Sequence, residues 1–138
     1  MISYESQFIT EIGDATFTIP GHTCRGPFSN EVPTYPLIII EERPTNLGVS
    51  VDGQPRITTN SYQVDIYCQN MEIGGIITLA SNVALQLGLE VDKFLNESFN
   101  FTNVGDPVRG VIGSDNNIAY MKTRYRITTD QDTGYIYR

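Results

Sequence analysis

His22 and Cys24 are the two residues whose types could perform nucleophilic chemistry, because a histidine can take the proton from a thiol. They lie two positions apart in a turn-rich segment, and neighbours in an extended chain have poor geometry for a nucleophile–base pair. They could share a metal ion, but no further cluster of ligands accompanies them. We therefore expect neither a catalytic pair nor a metal site here.

The acidic pairs do not form a catalytic set either. Glu41 and Glu42 are adjacent in a predicted strand, so their carboxylates should lie on opposite faces. Asp130 and Asp132 resemble part of a calcium loop, but the other ligands and the closing glutamate are missing. The sequence also has no phosphate loop, no dinucleotide fingerprint and no G-x-S-x-G. We expect a protein that is not an enzyme and has no cofactor.

The charge of the chain argues against bulk binding to nucleic acid. The formal net charge is −7, and an acidic surface repels phosphate backbones. Residues 109–126 nevertheless hold four of the nine basic residues, Arg109, Lys122, Arg124 and Arg126. We interpret this local group as a solvated strand face.

Residues 1–12 lack the positively charged N-terminal region of a signal peptide and contain two glutamates, so we expect no signal peptide. No apolar run approaches the roughly 20 residues of a membrane helix. The protein should therefore be made in the cytosol, with Cys24 and Cys68 reduced. Cys68 lies on the apolar face of a predicted strand, whereas Cys24 could be exposed.

The length of 138 residues favours a single domain over 1–138. Helical spacing of apolar residues predicts a long helix over about 72–95, with Asn70 as a possible cap. A short N-terminal helix is expected over 2–12. Gly88 could bend the long helix. Three leucines lie off its main apolar stripe and indicate either a wide buried face or a second contact surface: Leu79, Leu85 and Leu89.

Most of the remaining chain predicts strands. The clearest strand covers 61–69, where Tyr62 and Val64 alternate with Gln63 and Asp65. Further strands are expected over 15–19, 35–42, 98–102, 118–129 and 135–138, with a bulge near Ala119 in the strand over 118–129. Residues 43–58 should form a long loop or a loose hairpin, and 108–113 a loop or an edge. The fold class is therefore α+β, an antiparallel β-sheet with the long helix packed on one face.

Six tyrosines fall in predicted strands, and tyrosine is enriched at protein interfaces. Each alone fits ordinary β-propensity, but as a set they indicate an interface. They are Tyr62, Tyr67, Tyr120, Tyr125, Tyr135 and Tyr137.

A succession of five segments resembles the tail-completion proteins of long-tailed bacteriophages, also called tail terminators or head–tail joining proteins. The resemblance covers roughly residues 33–128, while 13–34 departs from the pattern. The segments are YPLIIIEE at 35–42, SYQVDIY at 61–67, EVDKFL at 90–95, FNFT at 99–102 and KTRYRI at 122–127.

The resemblance implies a structural protein of the virion that is present in the host cytoplasm during assembly. Such proteins form a ring, expected here to be hexameric, that ends growth of the tail tube and meets the head connector. The implied partners are further copies of the chain, the tail tube protein and the connector protein. DNA would pass through the lumen without specific binding, and no membrane is involved.

Candidate partner or subunit contacts come from four parts of the chain. Residues 43–58 are the first candidate for docking to the tube or connector. Deletion of 46–54 should leave a folded protein that no longer completes tails. The candidate residues are Arg43, Asp52, Arg56, Gln63, Asp65, Tyr67, Leu79, Lys122 and Arg124.

Two other classes of function remain open from the sequence. A head-completion, neck or tail-tube protein would also be a structural part of the virion. A small cytosolic binding module would hold a ligand under the long helix. An enzyme fits the sequence least well.

Overall fold

The computed structural model describes residues 4–51, 54–113 and 117–130, and the side chains of 4–43, 60–113 and 117–127. Two helices and eight strands make up this part of the chain. In chain order they are α1 (Glu5–Asp14), β1 (Thr23–Arg25), β2 (Leu37–Val51), β3 (Gln54–Gln69), β4 (Met71–Ile73), β5 (Ile76–Thr78), α2 (Ala80–Phe99), β6 (Thr102–Asn103), β7 (Val108–Ile112) and β8 (Ile118–Asp130).

The main sheet has the strand order β1-β2-β3-β8-β6, and β7 also pairs with β8. β1 runs parallel to β2, whereas the other pairs of this sheet are antiparallel. The sheet is therefore mixed and not wholly antiparallel as expected. The predicted α+β class is confirmed, because the long helix packs on one face of this sheet.

Both helices cover the same face of the sheet, because their apolar stripes enter one core. Val83, Leu87 and Val91 of α2 are buried there, as are Phe8 and Ile12 of α1. Four aromatic rings form the centre of the packing. Phe8 contacts Tyr62, Phe99 and Phe101 edge-on, with ring centroids 5.1, 4.8 and 5.0 Å away. Such contacts add about 0.5–1.5 kcal/mol each beyond the buried area.

The long helix begins at Ala80, so the prediction of a start near 72 is wrong. Residues 71–78 instead form the two-stranded hairpin β4–β5. Gly74 and Gly75 have φ of 60° and 82°, the left-handed conformations that a tight hairpin turn requires. The helix ends at Phe99, where Asn100 takes φ 55° and its N–H donates to the carbonyl of Asn96 at 3.1 Å.

Residues 43–51 and 54–58 belong to β2 and β3, which pair with each other there, so the described part of this stretch is not a loop. The loose-hairpin alternative is therefore confirmed. The pairing register shifts between Pro44 and Leu47 and again between Val49 and Ser50. These irregularities let strands that contain proline and glycine remain paired.

The other predicted strands have mixed outcomes. Residues 15–19 form no regular strand, and β1 lies further along the chain. The predicted strand over 98–102 is wrong, since α2 runs to Phe99 and only the two-residue β6 follows. Residues 108–113 contain the edge strand β7, one of the two alternatives expected. The predicted strand over 135–138 lies outside the described residues.

The strand predicted over 118–129 is confirmed as β8, but the expected bulge near Ala119 is wrong. The register with β3 is unbroken from Ile57↔Asp130 to Gln69↔Ile118. Ile118 is out of phase with Met121 because it lies on the opposite face of the sheet from the helices.

Candidate interaction surface

His22 and Cys24 have packing roles. His22 Nε2 lies 2.9 Å from the carbonyl oxygen of Ile12 near the end of α1, and its ring lies 4.9 Å from that of Phe17. Cys24 is half-buried. Burial raises the pKa of its thiol to about 12. Burial likewise raises the pKa of Cys68 to about 12. A thiol needs to lose its proton to act as a nucleophile or metal ligand, so both are poorly suited to either role.

The two adjacent glutamates lie on opposite faces, as predicted. Glu41 pairs in register with Gln63 on the face away from the helices, and its carboxylate lies 3.7 Å from the guanidinium of Arg43. Glu42 pairs with Tyr62 on the core side, where its backbone N–H donates to Glu5 Oε2 at 3.2 Å. Within the described ranges no three metal-binding side chains come together.

Strand pairing brings six of the nine candidate residues to one surface, the face of the sheet opposite the helices. We call this surface the outer face. Gln63 pairs with Arg124, Asp65 with Lys122, and Tyr67 with Tyr120, so their side chains share one side of the sheet. The candidate residues on the outer face are Arg43, Gln63, Asp65, Tyr67, Lys122 and Arg124.

The side chains of the outer face contact one another. Gln63 Nε2 donates to Asp65 Oδ1 at 2.9 Å along β3. The ammonium group of Lys122 lies 5.9 Å from the ring centroid of Tyr67 and 5.3 Å from that of Tyr120, within range of a cation–π interaction. This lysine is therefore held between two aromatic rings rather than bound to the carboxylate opposite it.

A shallow depression of about 250 Å³ lies on the outer face, where the chain between β6 and β7 meets β8. Val104 and Val108 form its apolar wall, and its polar wall contains Gln63, Asp106, Lys122 and Arg124. Apolar side chains beside polar and charged groups are a composition found at protein interfaces.

The other three candidate residues are not part of the described outer face. Leu79 immediately precedes α2 and is 59% exposed. Asp52 lies outside the described residues. For Arg56 the structure describes the backbone within β3 but not the side chain. Leu89, on α2, is 58% exposed. The alternative in which a wide buried face includes Leu79 and Leu89 is therefore wrong.

The tyrosines divide between core and surface. Tyr62 and Tyr125 are buried in the core, and burial raises the pKa of each phenol above its ordinary value. Tyr67 and Tyr120 are half-buried on the outer face. Tyr135 and Tyr137 lie outside the described residues. The interface interpretation therefore stays a prediction for Tyr67 and Tyr120, whereas packing in the core explains Tyr62 and Tyr125.

Two surface features were missed from the sequence. The tip of the β4–β5 hairpin presents Ile76 and Ile77, which are 70% and 78% exposed. The pair Gly74-Gly75 was the signal for this hairpin, because consecutive glycines typically form its turn. The second feature is a groove of about 530 Å³ where the last turns of α1 and α2 meet, lined in part by Glu11, Asp14 and Glu97. These carboxylates line one groove only in the folded chain, because α1 and α2 are far apart in sequence.

Within the described ranges, no helix combines the length and apolar character that crossing a membrane would require. A scan against protein-family models finds no match for the chain, and a search among curated proteins finds none either.

Proposed function

We propose that this chain is a structural protein of a long-tailed bacteriophage virion, a tail-completion protein. Copies of the chain form a ring, hexameric by the resemblance, on the end of the finished tail tube. The ring ends tube growth and provides the surface that the head connector meets. The proposal rests on the resemblance of the five segments and on one structural observation, the outer face.

The outer face carries the proposal because the two faces of the sheet differ so strongly. One face is closed by α1 and α2, whereas no described helix covers the other. The side chains of the outer face include charged, amide-bearing and aromatic groups beside the aliphatic Ile39 and Ile118, so the face offers both hydrogen bonds and apolar area to a partner. Unbroken pairing of β3 with β8 makes this face a rigid platform.

The β2–β3 hairpin supplies a second element suited to assembly. Strands of 15 and 16 residues reach about 50 Å at 3.3 Å per residue, while the 20 residues of α2 span about 30 Å. The hairpin is therefore longer than the helix that packs on the sheet. A paired arm of this length can reach a neighbouring protein in the tail while the core remains in the ring.

The net charge of −7 suits a ring through which DNA passes. Like charges oppose tight contacts with phosphates, so DNA would move through the lumen without being held. The lumen would then act as a passage and not as a binding site.

The direct test mixes the purified chain with purified tail tubes and free tube subunits. We expect negative-stain images with one added ring at a tube end, and tubes that no longer lengthen. Glu72→Ala, which changes an exposed residue of β4, is a control that should cap tubes as well as the unchanged chain does. Filaments made by the chain alone would identify a tube protein, and binding to heads but not tubes would identify a head-completion protein.

Deletion of residues 46–54 tests the hairpin separately. The shortened chain should fold, because the described core side chains lie outside 46–54. We expect a normal unfolding transition but no completion of tails. Infectious particles at the normal yield from this deletion would contradict a role for the hairpin in docking.

A further inference from the structure

Three basic residues of β8 form a stripe along the outer face. Lys122, Arg124 and Arg126 alternate with the core residues Thr123 and Tyr125, so they project on the same side. The Cα atoms of neighbouring basic residues in this stripe lie about 6.8 Å apart, which is twice the rise per residue of a β-strand. We call these three residues the basic stripe.

No described carboxylate forms an ion pair with the basic stripe, although Asp106 lines the same depression as Lys122 and Arg124. An ion pair on the same face joins Arg43 to Glu41. Asp65, which lies opposite Lys122 in the register, instead accepts a hydrogen bond from Gln63. Three cations that form no described ion pair, all within five residues, are a concentrated positive feature in a chain whose net charge is −7.

The groove between the helix ends has the opposite electrostatic character, and we call it the acidic groove. Glu11, Asp14 and Glu97 line it, and Phe94 contributes an aromatic wall. Both helices end there, and neither has a basic residue in its last turn. Because the C-terminal end of a helix carries partial negative charge, these carboxylates lie where negative charge is least favourable.

We propose that the basic stripe of one copy binds in the acidic groove of the next copy. The occupant is a second copy because one chain carries both members of the pair, three cations on one surface and three carboxylates on another. Arginine can bind a carboxylate through two parallel hydrogen bonds and can also pack on an aromatic ring. A bound copy would relieve the unfavourable charge at the helix ends.

The geometry of this contact is head-to-tail. The stripe lies on the outer face, whereas the groove is formed by helices on the other side of the sheet. Two different surfaces are joined, and a repeated contact of this kind closes into a ring when the rotation between copies permits. The inference therefore rests on the proposed function for its ring, but the contact itself is measurable in the purified chain.

The experiment uses charge reversal on each side of the contact and sedimentation equilibrium at low ionic strength. Association of the unchanged chain should weaken at least tenfold when either pair is reversed, Lys122→Glu with Arg124→Glu or Glu11→Lys with Glu97→Lys. All four positions are at least partly exposed, so the fold should tolerate the changes. Glu72→Lys is a control reversal at an exposed position of β4, away from both surfaces, and association should be preserved in it.

Restoration of the contact makes the test specific. A chain with all four reversals exchanges the two signs, so it should associate again to within a few-fold of the unchanged chain. A mixture of the two defective variants should likewise associate, since each supplies a surface that fits the other. Association that remains lost in both cases would overturn the proposal.

Two further outcomes would also overturn it. One is a strictly monomeric unchanged chain at millimolar concentration. The other is binding of a short DNA duplex that stripe reversal abolishes and groove reversal leaves unchanged, because the stripe would then be a phosphate site.

If the contact is found but the chain does not cap tail tubes, the proposed function fails and the contact stands. If tubes are capped by both reversed variants, the contact fails and the function stands.

Discussion

The hydroxyl group of Tyr125 donates a hydrogen bond of 2.8 Å to Oδ1 of Asp92, and this contact joins β8 to α2. The same oxygen accepts from the side-chain amide of Asn103 at 2.9 Å, and Oδ2 accepts from Asn96 at 3.1 Å. One half-buried carboxylate thus connects the long helix to two strands of the sheet. It fixes the position of the layer that covers the core.

Asp92→Ala should lower the free energy of unfolding by about 2–3 kcal/mol. The substitution removes an ionised acceptor and leaves the hydroxyl of Tyr125 without its partner, and hydrogen bonds to charged groups contribute about 1.5–3 kcal/mol. Urea denaturation followed by circular dichroism measures the change. The matched acidic control is Glu97→Ala, at an exposed position of the same helix, which should change stability by less than about 0.5 kcal/mol.

Tyr125→Phe separates the hydroxyl from the carboxylate. This variant keeps the ring in the core and leaves Asp92 bonded to both asparagines, so it should lose less stability, about 1 kcal/mol. A loss as large as that of Asp92→Ala would mean that the two asparagines contribute nothing.

The backbone architecture was largely predictable from the sequence, whereas side-chain contacts such as the hydrogen bond between Tyr125 and Asp92 were not. Alternation over 61–69 and helical spacing over 80–95 are properties of the sequence itself, and both predict the correct element. Asp92 resembles any polar residue on the exposed side of a helix, because two of its three partners come from strands that follow the helix. The outer face was predictable strand by strand, but its combined surface depends on the register between β3 and β8.

The start of the long helix shows where apolar spacing alone misleads. Ile73, Ile76 and Ile77 fit a helical stripe, although a glycine pair lies between the first two. Since two left-handed glycines favour a hairpin strongly, local turn chemistry overrides the apolar spacing. The acidic groove lies beyond any such pattern, because it joins the ends of two helices that are far apart in the chain.

Asn70→Ala should destabilise the start of α2 by about 1 kcal/mol, the usual cost of losing a helix cap. The prediction that Asn70 caps the helix from the adjacent position is wrong, because Leu79 is the N-cap of α2. Asn70 Oδ1 nevertheless accepts a hydrogen bond of 2.7 Å from the backbone N–H of Ala80, ten residues further along the chain. Asn70→Asp keeps the acceptor and should restore most of the stability. Urea midpoints of the two variants provide the comparison, and equal midpoints would show that this hydrogen bond contributes nothing.

Gly88→Ala should lower the free energy of unfolding by about 1–3 kcal/mol, although alanine favours helices by about 1 kcal/mol over glycine. Gly88 is buried where α2 approaches β8, and an added Cβ would overlap Met121 Sδ and lie 3.2 Å from its Cε. The conflict is therefore with one side chain. In a Met121→Ala background the same substitution should become stabilising, and thermal unfolding of the four variants would test this reversal of sign.

Cys24 and Cys68 should resist thiol reagents in the folded protein. Burial raises the pKa of each from 9.0 to about 12, which lowers the thiolate fraction at pH 8 about a thousandfold. A disulfide-exchange reagent should modify both cysteines quickly in concentrated urea and neither at a comparable rate in buffer. Rapid reaction of Cys24 in buffer would mean that the segment around β1 opens readily.

The raised pKa values also predict how stability changes with pH. A group whose pKa is higher in the folded state holds its proton more tightly there, so it stabilises the fold below its unfolded pKa and loses that contribution as pH rises. For the two thiols this window runs from about 9 to about 12, and the buried Tyr62 and Tyr125 act in the same direction. Urea midpoints should therefore fall steadily over this range. The double variant Cys24→Ala with Cys68→Ala should show a shallower fall, and an equal slope would attribute the effect to the tyrosines alone.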